Sequence, residues 1–142
     1  MAYCTIKFAK SYKKRKLTKN IALKVDIDNI ALGVDTAIPC GLIINELVTN
    51  SLKHAFPDSR EGEITIKVKF HETDGKKNID LTVSDNGIGM PEGLDIQNTK
   101  SLGLKLVTTL VEHQLQGNFE HITEKGTEFK IHFKEILYKK RL

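Results

Sequence analysis

The chain has 142 residues, 39% of them hydrophobic and 28% charged, a balance that excludes a mainly disordered chain and suffices for one domain with its own core. No run nears the ~18 apolar residues that a membrane helix needs, and the opening MAYCTIKFAKSYKKRK puts its charge after its apolar part, the reverse of a signal peptide. Two cysteines, Cys4 and Cys40, are too few for a disulfide framework or a zinc site, which points to a reducing, cytoplasmic setting.

The net charge of +4 is uneven: ten of the 22 basic residues lie in positions 1–19 and 139–142, where none of the 18 acidic residues lies. The intervening chain is therefore acidic, which argues against a nucleic-acid-binding domain. The basic ends read as solvated tails or linker ends. Three segments are expected: a basic N-terminal segment over 1–19, a globular domain over 20–136 and a basic tail over 137–142.

Met1–Tyr12 has loosely helical spacing (Tyr3, Ile6, Phe8, Ala9, Tyr12) and reads as the end of a helix. Ile21, Leu23, Val25 and Ile27 alternate, which predicts a strand with one buried face. From Asp35 to Ala55, Ile44, Leu47, Val48, Ser51, Leu52 and Ala55 fall on one helical stripe. Pro39 sits early in that helix and Pro57 stops it. Residues 62–71 and 78–84 alternate on either side of Asp74-Gly75, a hairpin signal. Residues 86–100 hold three glycines and Pro91 and read as a loop. Leu102 to Gln116 is a second helix, with Gly117 as its stop. Phe119–Ile122 and Phe129–Phe133 make a last hairpin around Glu124-Lys125-Gly126. The expected fold class is α+β: a two-layer sandwich with a mixed, mostly antiparallel sheet covered on one face by helices.

Four stretches carry chemistry. Glu46, Asn50, Lys53 and His54 share one helix face beside the apolar stripe. A carboxylate and an amide oxygen there suit Mg²⁺, and a lysine suits phosphate, although an ordinary polar helix face would carry the same groups. Asp85-Asn86-Gly87-Ile88-Gly89-Met90 follows a strand directly. Its carboxylate can accept from an exocyclic amine, its glycines admit close backbone approach, and Met90 offers a soft surface to a flat ring. The same residues would also make a plain turn. Ser101 is a fitting N-cap for Leu102-Gly103-Leu104, whose free N–H groups favour an anion. Thr127, after Gly126, could join Asp85 on a base edge. Neither a P-loop nor a GxGxxG is present.

In this order, the four stretches resemble the ATP-binding catalytic domain of sensor histidine kinases, the Bergerat-type fold also seen in gyrase, Hsp90 and MutL-like ATPases. Asn45–Ala55 is similar to the N box, Asp85–Gly89 to the first glycine box, and Leu102–Leu104 to the second. Residues 36–57, beginning Thr36-Ala37-Ile38, resemble the subgroup with the second type of HisKA region, related to the HWE kinases. The resemblance implies ATP and Mg²⁺ as cofactors, with Asn50 and Glu46 at the metal and Lys53 at phosphate. Glu46, Asn50 and Lys53 would be the catalytic set. Asn50, Lys53, His54, Asp85, Gly87, Gly89, Met90, Ser101, Leu102, Gly103, Leu104 and Thr127 would bind the nucleotide, Asp85 at the adenine amine and Met90 and Leu104 along the base or lid. Residues 92–101 would be a short ATP lid.

The resemblance also implies partners: a histidine-bearing dimerisation segment and, through it, a response regulator. His54, His71, His113, His121 and His132 all lie within the ATP-binding unit, so self-phosphorylation is not expected, nor membrane contact, and the isolated domain is expected to be monomeric. Residues 1–19 would be at most the end of the dimerisation hairpin. Two other readings share the fold: a nucleotide-gated ATPase of the gyrase or Hsp90 type, with Glu46 activating water, and a protein serine kinase of the anti-sigma type.

Overall fold

The period-two runs of the sequence form strands and its two helical stripes form helices. In chain order the computed structural model, which describes residues 5–8, 10–90 and 101–136, runs β1 (Thr5–Phe8), β2 (Ser11–Lys16), β3 (Ile21–Ile27), β4 (Ile30–Gly33), α1 (Val34–His54), β5 (Gly62–Thr73), β6 (Lys76–Asp85), α2 (Leu102–Thr109) with a π-helical turn (Leu110–Gln114), β7 (Asn118–Thr123) and β8 (Thr127–Ile136). Six strands form one sheet in the order β2-β3-β5-β6-β8-β7, and β1 and β4 form a separate pair. In the large sheet β3 and β5 run parallel and the other neighbours are antiparallel.

Register sorts the side chains. Ile66 faces Val83 across one ladder and Val83 faces Phe129 across the next, so apolar residues line up on one face. One residue along, Lys67, Thr82 and Lys130 line up on the other. Ile43, Leu47, Leu104, Val107 and Val111 of the helices close over Ile64, Leu81, Ile131 and Phe133 of the sheet, all buried. Each such side chain contributes about 1.5–3 kcal/mol relative to exposure. The expected two-layer α+β sandwich is thus what forms.

Local details depart from the sequence reading. Helical spacing was expected over residues 1–12, but Thr5–Phe8 and Ser11–Lys16 are strands. β2 buries almost nothing; it is held by its hydrogen-bonded ladder to β3, which leaves no trace in hydropathy. β4 was not expected, since four residues give too short an alternation. Pro39 lies in the second turn of α1, so the Asp35 carbonyl has no N–H four residues on to accept from. The second helix changes to π-helical geometry at Leu110 and stops through Gln116, whose φ is 51°, while the Gly117 N–H closes onto the Val111 carbonyl at 2.9 Å. Gly117 is needed for another reason: a Cβ there would overlap the His132 carbonyl. The lid expected over residues 92–101 lies, except for Ser101, outside the described residues.

α1 begins without a side-chain cap. Instead its N-cap residue, Gly33, donates its N–H to Glu135 Oε2 of β8 at 3.1 Å, which puts a carboxylate at the positive end of the helix. This contact, 102 residues apart in sequence, ties the start of α1 to β8.

Candidate functional site

The C-terminal end of α1 meets the end of β6. Ala55 closes the helix, and its carbonyl accepts from the Ile88 N–H at 3.0 Å. A Cβ on Gly87 would overlap that same carbonyl, so the loop after β6 can lie under the helix end only with glycine there. On the other side, Gly126 has φ +92° and a Cβ on it would overlap the Asp85 carbonyl. These two close approaches clamp the last residue of β6 between α1 and the β7–β8 turn.

That residue is Asp85, 8% exposed. Its Oδ1 accepts from the Gly87 N–H at 3.0 Å and the Thr127 N–H at 3.2 Å; its Oδ2 accepts from the Ser51 hydroxyl at 2.7 Å. A carboxylate has about four acceptor positions, so three are filled from the protein. Among the described residues no buried side-chain nitrogen or oxygen lacks a partner.

A cleft of about 380 Å³ opens beside this carboxylate. Asn50 and His54 line it from α1, Gly89 and Met90 from the glycine loop, Ser101 and Leu104 from the start of α2, and Thr127 from β8. Ser101 caps α2, its Oγ accepting from the Leu104 N–H at 3.4 Å. Ile88, Met90, Leu104 and Phe129 give the cleft apolar lining, and Asp85 lines the same space. Phe129 is itself backed by stacked rings, Phe119 at 5.6 Å and His121 at 5.1 Å. Burial holds the His121 imidazole below its ordinary pKa.

The remaining predicted residues lie around the cleft, not in its wall. Glu46 reaches α2: a Cβ on Gly103 would stand 2.6 Å from its Oε2, so its carboxylate lies over the first turn of that helix. Lys53 is exposed on α1. Leu102, 82% exposed, faces away from the core. Gly87 is buried and contributes its N–H to Asp85. Sequence reading missed Ser51, Ile88 and Phe129. Ser51 had a signal: it is a hydroxyl on the apolar stripe of α1, and a buried hydroxyl needs a partner.

The donor set fits the implied cofactors. Asp85 keeps an unfilled acceptor position beside an apolar wall, which suits an amino-bearing flat ring. The described residues hold no group of three or more His, Cys, Asp or Glu able to cage a metal. Mg²⁺ needs no such cage, since it takes one or two protein oxygens and completes its shell with phosphates and water.

Comparison with known proteins identifies the family. Residues 36–136 match the family described as histidine kinase-, DNA gyrase B- and HSP90-like ATPase. The sensor histidine kinase PdtaS of Mycobacterium tuberculosis is 36% identical over 100 residues, 68% of this chain and 19% of that protein. Blue-light-activated histidine kinase 2 of Erythrobacter litoralis is 34% identical over 92 residues, 65% of this chain and 26% of that protein. The chain thus spans about a fifth to a quarter of the length of these relatives. The histidine kinase domain of the Erythrobacter litoralis blue-light-activated kinase EL346 superimposes with a TM-score of 0.72 at 31% identity, covering 82% of this chain and 52% of that one.

Proposed function

Because the chain belongs to the histidine kinase-, DNA gyrase B- and HSP90-like ATPase family, we propose that it binds Mg-ATP in the cleft beside Asp85 and presents the γ-phosphate to a histidine carried outside this domain, in two-component signalling. The observation that carries this reading is the Asp85 carboxylate, buried and held by three protein donors, with one acceptor position left in a cleft that Ile88, Met90, Leu104 and Phe129 also line. In this reading Asp85 accepts from the adenine amine, Met90 and Leu104 flank the ring, and Thr127 holds the carboxylate. The triphosphate runs toward α2, whose first N–H groups have no partner within the helix. Bound Mg²⁺ neutralises triphosphate charge, with Asn50 and Glu46 as its protein oxygens. Lys53 adds positive charge at the phosphates. The protein's contribution to transfer is positioning and charge neutralisation.

The acceptor is a histidine on a helical dimerisation segment, which then passes the phosphoryl group to a response regulator. The domain by itself does not label itself. The test is nucleotide titration with and without Mg²⁺, then incubation with γ-labelled ATP alone and with a histidine-bearing dimerisation segment. Tighter binding with Mg²⁺ and label on the added segment alone are expected. In Asn50→Ala the Mg²⁺ dependence and the transfer should both be lost. Rapid release of inorganic phosphate by the domain alone would overturn transfer in favour of hydrolysis, and unchanged transfer by Asn50→Ala would remove the metal assignment.

A further inference from the structure

Ser51 is 6% exposed and sits one residue after Asn50, on the side of α1 that faces the sheet. Its hydroxyl has one hydrogen, and that hydrogen is given to Asp85 Oδ2 at 2.7 Å. What remains of the hydroxyl toward the cleft is acceptor only. The Gly87 and Thr127 N–H groups fill Oδ1. The open acceptor position of the carboxylate therefore lies on Oδ2, next to the Ser51 oxygen, and both atoms belong to residues of the cleft wall.

We propose that Ser51 is the positioning residue that makes this site select an amino-bearing purine over an oxo-bearing one. Two adjacent oxygens, neither with a hydrogen to offer, face the base edge. An exocyclic N–H₂ can donate there. An oxo group brings a third acceptor against these two oxygens, which leaves polar groups unpaired. Without the Ser51 hydroxyl, Asp85 loses its anchor on Oδ2. A water that replaces the hydroxyl can turn either way and offer a hydrogen to an oxo group, so the discrimination weakens. The inference rests on the proposed reading that Asp85 meets the base.

The test compares binding of ATP, ITP (which has an oxo group in place of the amine and, with it, an N1–H) and inorganic triphosphate, each with Mg²⁺, to wild type, Ser51→Ala and Ser51→Thr. Expected for Ser51→Ala is about tenfold weaker ATP, a smaller ATP-over-ITP preference and unchanged triphosphate binding, which also shows that the variant is folded. Ser51→Thr, which keeps the hydroxyl, should retain the preference. An unchanged ATP-over-ITP ratio in Ser51→Ala, or an equal loss in Ser51→Thr, would overturn the role of the hydroxyl while leaving the base reading intact. Wild type that binds ATP no better than ITP would overturn the base-reading role of Asp85 and this inference together.

Discussion

The two ends of α1 cover two different spaces. Near its start, Ala37, Cys40, Gly41 and Ile44 border a pocket of about 120 Å³ lined by apolar residues of β1, β3, β4, β5 and β6. Near its end, Asn50, Ser51 and His54 border the cleft of about 380 Å³ that contains Asp85. One helix thus borders an apolar pocket and a cleft with polar groups. The difference lies in whether donors were brought in. At Asp85, two backbone N–H groups and a hydroxyl converge before any ligand arrives. At Cys40 no such set forms: burial, with Glu135 nearby, pushes the thiol up to about 12. Burial away from water disfavours the charged form of such a group.

The largest effect is expected at the polar end. Asp85→Asn leaves an amide where a carboxylate accepted from three donors. ATP binding should fall roughly a hundredfold, and inorganic triphosphate far less, because the loss falls on the base. Competition titration measures both; equal weakening would show that Asp85 does not read the base.

Gly87→Ala tests the clamp. Its Cβ overlaps the Ala55 carbonyl, a backbone atom that cannot turn aside. A loss of about 1–3 kcal/mol is expected, read as a lower midpoint in urea. Unchanged stability would mean that the helix end and the loop are not in contact.

Near the start of α1, Gly41→Ala should stabilise. Gly41 is inside a helix and a Cβ there meets nothing within 4 Å. The gain is about 0.5–1 kcal/mol, a few degrees in Tm, with ATP affinity unchanged. A shift in ATP affinity would show that the two ends are coupled through α1.

The smallest effect is on Cys40. Its folded pKa, about 12, lies above the ordinary value of 9.0. In the folded state it stays protonated where the unfolded chain ionises. Its contribution to stability is therefore complete below pH 9 and is lost as pH rises from there toward 12. In a Cys4→Ser background, alkylation at pH 8.5 should be much slower folded than unfolded. Equal rates would place the thiol in water.

Much of this was legible in the residues. Alternation gave β3, β5, β6 and β8, and the stripe on α1 gave its buried face, because burial of one face repeats with the period of the backbone. The four chemical stretches were legible as types: an acid at a strand end, glycines after it, a capped helix, a polar helix face. Five residues show where legibility ended. Ser51 was visible on the apolar stripe, but its partner is 34 residues away. Lys13, Lys14 and Arg15 gave no strand pattern, since β2 is held by backbone hydrogen bonds. Phe129 read only as a hairpin residue; it is buried in the core and also lines the cleft.

The sequence by itself determined which face of the alternating strands and of α1 turns inward, because burial of one face repeats with the backbone's period. Only the tertiary structure decided how the Asp85 carboxylate is filled. Its three donors come from α1, the glycine loop and β8, at separations of 34, 2 and 42 residues. No local pattern encodes which oxygen each donor takes, and that choice leaves the acceptor position turned to the cleft.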